Sequence, residues 1–278
     1  MKKQLTIIFI LALILLNACA TKKEVIFTAE QRGSSKSMYE QATKFIKKNP
    51  ERARLMFKEI MQLYPDDIYA RRAKIGIADS YFKQKDASSL IVAASEYQEY
   101  VNLYPNSPDA AYAKFQVGNC YYKQMRKPER DQSKTFEAIK AFESLIKMYP
   151  DTKEAEQARK NVVKARQNLA THYYRIGYYN YKYGALRGAI TRFKQVIDEY
   201  PDFKDNDRMF FIAGKVYLIL REFDSANSFF NKVINSYPKS KYAKKAVKML
   251  QKVEKEKKKP APKLKLPKNV KPKEGDKK

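Results

Sequence analysis

The chain has 278 residues, with 57 lysines and arginines against 30 acids, a formal net charge of +27. One histidine and two cysteines leave little for a metal centre or a histidine-activated nucleophile, and no pair of histidines, cysteines or acids stands at metal-ligand spacing. The charge invites a nucleic-acid reading, but no motif of that kind accompanies it, while 21 tyrosines, 15 phenylalanines and only 8 glycines suit stacked helices with few turns.

Met1, Lys2 and Lys3 precede an apolar run from Ile7 to Leu16. That run is too short for a membrane span, which needs about 20 residues. A basic start, a short apolar core and a small-residue boundary predict a signal peptide over 1–18. Leu16-Asn17-Ala18-Cys19 resembles the bacterial lipobox. The resemblance implies cleavage after Ala18, and a Cys19 diacylated on sulfur and acylated on its amine. Two or more acyl chains hold a protein stably on a membrane where one does not. Ala20, rather than aspartate, implies the outer membrane, with residues 19–34 as a lipidated linker.

From residue 35 a repeat emerges. Tyrosine precedes proline at Pro65, Pro105, Pro150, Pro201 and Pro238. Twelve residues before each proline stand Ala53, Ala93, Ala138, Ala189 and Ala226. Eight before stand Phe57, Tyr97, Phe142, Phe193 and Phe230, and four before stand Met61, Val101, Ile146, Ile197 and Ile234. Such spacings keep one helix face apolar, and proline ends the helix. Gly118, Gly177 and Gly214, with Ala78 in the same role, are expected at close crossings on the first helix of each pair. This resembles the tetratricopeptide repeat. The expected fold is an all-α solenoid of five such pairs, closed by a capping helix after Pro238.

The intervals between prolines are 40, 45, 51 and 37 residues. The extra residues of the third pair fall in the charged loop "MRKPERDQ". Those before the fourth, in a stretch free of proline and glycine, amount to about four helical turns. One long helix from about Lys153 to Tyr183 is therefore expected between repeats three and four. The end, 252–278, carries twelve lysines against four acids, with four prolines. Such a composition does not offset its ordering entropy, so a disordered tail is expected. Its charge suits anionic lipid or cell-wall polymer, or serves solubility alone.

Nothing in the pattern asks for catalysis or a cofactor. His172 on a tyrosine-rich helix reads as a packing residue, and Cys120 as a thiol without a partner. A helical solenoid offers a groove lined by its first helices. Helical spacing places Arg72, Ile75, Asp79 and Phe82 there, together with Tyr112, Phe115, Asn119 and Tyr122. The aromatics would take apolar side chains of an extended peptide. Arg72 and Asn119 would fix its backbone or terminal carboxylate. Each of these residues has an inter-helix core reading beside it.

The lipobox, the five pairs, the charged loop and the long helix together resemble the BamD family, outer-membrane lipoproteins of the β-barrel assembly machine. The resemblance covers roughly residues 19–250. It is sharpest at Arg130-Asp131, "FEAIKAFESLIKMYPDT" and "GALRGAITRFKQVIDEYPD". It implies a non-enzymatic scaffold that meets BamA through C-terminal repeats (152–251), alongside other subunits of the complex. It also implies that N-terminal repeats (35–151) receive C-terminal signals of unfolded outer-membrane proteins. Arg192, in "AITRFKQ", falls on the family's partner-facing arginine; Arg187 on the same helix carries no such implication. The lysine-proline tail departs from the family pattern. Two other readings stay open: a pilotin-like lipoprotein for secretin assembly, expected without the long helix, and a cell-wall-associated adaptor that leans on the tail.

Overall fold

A computed structural model of the chain describes residues 26–28 and 31–260. The leader, Cys19 and most of the basic tail lie outside the described residues. The described residues form eleven α-helices and no strand. They are α1 (Ser35–Phe45), α2 (Pro50–Leu63), α3 (Ile68–Gln84), α4 (Ala87–Leu103), α5 (Ala110–Tyr122) and α6 (Ser133–Met148), then α7 (Lys153–Lys182), α8 (Leu186–Glu199), α9 (Asn206–Ile219), α10 (Phe223–Ser236) and α11 (Lys241–Lys257).

The Tyr-Pro pairs do what their chemistry dictates. Tyr64, Tyr104, Tyr200 and Tyr237 cap α2, α4, α8 and α10, all with φ between −133° and −135° and ψ between 52° and 60°. A following proline disfavours the α conformation in the residue before it. Each tyrosine still gives its N–H to the carbonyl four residues back, closing the last turn. Five helix N-termini are capped from side chains: Ser34, Asn49, Asp67, Asp86 and Ser240 each accept a backbone N–H of the turn they open.

The repeat's small and aromatic positions form the core. All five alanines are 0 % exposed, and Phe57, Tyr97, Phe142, Phe193 and Phe230 are at most 1 % exposed. Burying a ring of this size stabilises by about 1.5–3 kcal/mol. In the second pair the third apolar position holds, with Val101 only 2 % exposed; in the other four it departs from the expected register. Ile60, Leu145, Val196 and Val233, five residues before each proline, are fully buried, whereas Met61, Ile146, Ile197 and Ile234 are half-buried. Steps of four and three, rather than four and four, hold one stripe toward the neighbouring helix.

Three of the four expected close crossings are tight. A Cβ added at Gly118 would lie 2.4 Å from the Phe142 ring; at Gly177 it would lie 2.7 Å from Phe193, and at Gly214 2.7 Å from Phe230. Ala78 is fully buried. A fourth glycine, unsuspected in the sequence, does the same between successive pairs: a Cβ on Gly76 would come 2.5 Å from Phe57.

The chain divides into two compact units, one ending at Gln124 and taking in Glu137–Lys160, the other made of Met125–Phe136 and the residues from Asn161 on. In the first, α2 packs on α1 and α3, and α4 on α3 and α5. Cys120 is buried there with Ala78, Tyr97, Ala113 and Val117, and is free. Burial pushes its thiol up to about 12, against the opposing pull of Lys123.

In the second unit α9 packs on α8, α10 and α11. α7, which belongs to this unit from Asn161 on, is one unbroken helix of 30 residues, about 45 Å at 1.5 Å per residue. The charged loop is tied to it. His172 Nδ1 donates to the Pro128 carbonyl at 2.6 Å, Asn168 Nδ2 to those of Arg126 and the Gln132 side chain, and Arg175 pairs with Glu129. The single histidine thus holds a loop.

The expected tail boundary at 252 needs correction. α11 runs through Lys257, Val253 is fully buried, and Arg221 donates to the carbonyls of Glu256 and Lys259. An apolar side chain every third or fourth residue keeps this lysine-rich segment helical until the prolines begin.

Candidate functional site

Around the first unit's expected groove, the structure gathers the aromatics in two sets. Phe82 and Tyr112 meet the buried Tyr97 ring edge-on, at 6.4 and 6.3 Å between centroids. Phe115 and Tyr122 meet the buried Phe142 ring at 5.7 and 6.0 Å. All four are half-buried: one part of each belongs to the core, the other faces out. Ile75 is 6 % exposed and sits wholly in the core cluster.

Between the first set lies Asp79. It accepts the Tyr97 hydroxyl and, at 2.8 Å, the Tyr112 hydroxyl. Burial raises its pKa, against those two hydrogen bonds. The tyrosines are pushed up in turn, by burial first and by the carboxylate second. One carboxylate therefore pins rings from α4 and α5 to α3.

The expected polar pair is already engaged. Arg72 pairs with Asp109 at 3.5 Å and lies over the Tyr69 ring. It borders a hollow of about 420 Å³ formed with Tyr100, Tyr104 and the Pro105–Asp109 turn, apart from the aromatic sets. Asn119 donates its amide to Gln116 within the same helix, at 2.9 Å.

In the second unit Arg192 on α8 is half-buried. Its guanidinium donates to Gln195 at 2.8 Å and lies 5.8 Å over the Tyr173 ring. Arg187, one turn earlier, is exposed. In the loop, Asp131 accepts the Ser133 N–H and hydroxyl, which starts α6, and Arg130 is exposed. Among the described residues no three histidine, cysteine or acidic side chains gather as a metal site, and no helix is long and apolar enough to cross a membrane.

The family model YfiO, described as outer membrane lipoprotein, matches residues 31–228. The chain belongs to the YfiO family of outer membrane lipoproteins. Two curated proteins similar to this YfiO chain are each named outer membrane protein assembly factor BamD. The one from Rickettsia prowazekii (strain Madrid E) is 30 % identical over 112 residues, 40 % of this chain and 45 % of that protein. The one from Caulobacter vibrioides (strain ATCC 19089 / CIP 103742 / CB 15) is 31 % identical over 91 residues, 33 % of this chain and 30 % of that protein. The matched stretches thus span less than half of either relative. Among solved structures, the TPR2AB domain of yeast Sti1 in its pHSP90 complex overlaps 79 % of this chain and 98 % of that one, at 13 % identity and a TM-score of 0.36. That overlap is too loose to bear on function.

Proposed function

We propose that the chain is a non-enzymatic, lipid-anchored subunit of the machinery that places β-barrel proteins in the outer membrane. In this reading the second unit holds a BamA-type partner and the first receives the ends of unfolded barrel proteins. The family match over residues 31–228 carries it, and the relatives named as assembly factors support it. Half-buried aromatics around Tyr97 and Phe142 suit apolar side chains of an extended chain. Arg192 spends one hydrogen bond on Gln195, which leaves further donors of its fork for a carboxylate.

Affinity purification from the native membrane tests the reading. BamA is expected to co-purify, and Arg192→Ala to lower its recovery about tenfold or more, the scale for truncating one partner of a buried charged contact. A cross-linker at Tyr122 is expected to capture barrel substrates. Recovery of a secretin in place of BamA would favour the pilotin-like reading. Retention on peptidoglycan that vanishes when 252–278 are deleted would favour the cell-wall reading.

The anchor has its own test. Cys19→Ala is expected to abolish the acyl mass, because the proposed fatty chains are carried on that residue's sulfur and amine. Mass spectrometry that found an uncleaved leader and no fatty chains on the wild type would overturn it.

A further inference from the structure

The second unit contains a hollow that the reading above does not use. About 480 Å³ in volume, it is lined by Tyr174, Arg175, Tyr178, Tyr179 and Lys182 of α7, by Tyr183 just past its end, and by Arg208 of α9. Four of the seven are tyrosines, three are cations, and none is an acid. Arg175 is committed to Glu129. The Arg208 guanidinium is not. It lies 5.7 and 5.3 Å over the Tyr174 and Tyr178 rings, and no carboxylate among the described residues pairs with it.

A second observation points the same way. Tyr174 is 4 % exposed, and its hydroxyl has no hydrogen-bond partner. Burial is the largest influence on it and holds it protonated well above neutral pH, so it is a donor. Orphaned buried donors are costly and rare. Here one lines the hollow that also holds a guanidinium engaged by the Tyr178 hydroxyl and by no carboxylate.

A carboxylate would satisfy both, through a charge-assisted hydrogen bond to each. A phosphate would call for more: its three oxygens and double charge want several converging cations, and one of the three here is spent. Beyond the buried pair, Tyr179 and Tyr183 are 60 % and 73 % exposed and meet at 4.3 Å between centroids. Two exposed tyrosine rings in contact form a ready platform for an apolar side chain.

We propose that this hollow binds the side-chain carboxylate of an acidic peptide segment of a partner protein, with Arg208 and the Tyr174 hydroxyl as donors and the Tyr179–Tyr183 pair covering the apolar residue beside it. The proposal does not require that the partner be BamA, so either can fail alone.

The test uses the full chain in detergent and two acetylated, amidated peptides. One carries a single glutamate between two tryptophans, and the other has glutamine in its place. The chain has no tryptophan, so tryptophan anisotropy reports the peptide alone. The glutamate peptide is expected to bind with Kd below about 1 mM and about tenfold or more tighter than its glutamine counterpart. Arg208→Gln and, separately, Tyr174→Phe are expected to abolish that preference, the second with no change of ring packing. Equal binding of the two peptides, no binding of either, or a preference that survives in Tyr174→Phe would overturn the proposal. So would displacement of the peptide by equimolar inorganic phosphate, which would reassign the hollow to a different anion.

Discussion

Replacing Gly118 with alanine is expected to destabilise the first unit by about 3 kcal/mol, at the upper end for an overpacked core. The new methyl would stand 2.4 Å from two atoms of the Phe142 ring, and that ring is 0 % exposed with Phe115 and Tyr122 leaning on it. Close-packed surroundings leave the ring no vacant space to swing into. Two outcomes compete. If the helices part, their remaining contacts weaken and urea unfolding moves to lower concentration. If the ring tilts, its two neighbours shift and the cost shrinks. The double variant Gly118→Ala with Phe142→Leu separates them, since the shorter side chain makes room for the methyl. It is expected to be no less stable than Gly118→Ala alone, a coupling of opposite sign to simple additivity. Additive losses in the double variant would show that the crossing is not where the strain lies.

Removing the carboxylate of Asp79 is expected to cost a comparable amount, about 3 kcal/mol for Asp79→Ala. Two tyrosine hydroxyls lose their acceptor at once, and each buried orphan costs about 1–3 kcal/mol. Asp79→Asn keeps an acceptor oxygen and is expected to lose less. The pH dependence distinguishes the two effects. Burial raises the pKa of Asp79 in the folded chain, so the folded state binds the proton more tightly than the unfolded state. Its contribution is fully present below the ordinary carboxylate range and declines as pH rises through the raised value. Wild-type stability should therefore carry a downward slope in that window, a slope that Asp79→Asn lacks. Identical pH profiles for the two proteins would show that Asp79 titrates as an ordinary carboxylate.

Both sites show how far the sequence can be read. The Tyr-Pro ends, the buried alanines and the buried aromatics follow from local rules: a proline blocks a helix, and a side chain eight residues earlier shares its face. The long α7 was legible for the same reason, an insertion of whole turns without a breaker. Outside the second pair, where Val101 is buried as expected, the third apolar position was misplaced by one residue, because Ile60 and Met61, or Val196 and Ile197, are equally apolar neighbours and only packing distinguishes them. Gly76 escaped notice because its partner, Phe57, lies in the preceding pair, outside the spacing within one repeat. Arg72 and Asn119 were expected to be free to meet a ligand. Their acceptors, Asp109 and Gln116, were visible as letters but not as neighbours. The Tyr174–Arg208 hollow needs two helices brought side by side, and nothing in the pattern of either helix announces that one hydroxyl will be left over.

Cys120 turns the packing of the first unit into a clock. Electrophiles attack thiolates, and a sulfur both buried and held near 12 offers none at neutral pH while α5 stays seated. Alkylation under native conditions then proceeds only through transient opening, so its rate counts how often that helix lifts. Gly118, two residues away on the same helix, sets the fit that keeps the clock slow.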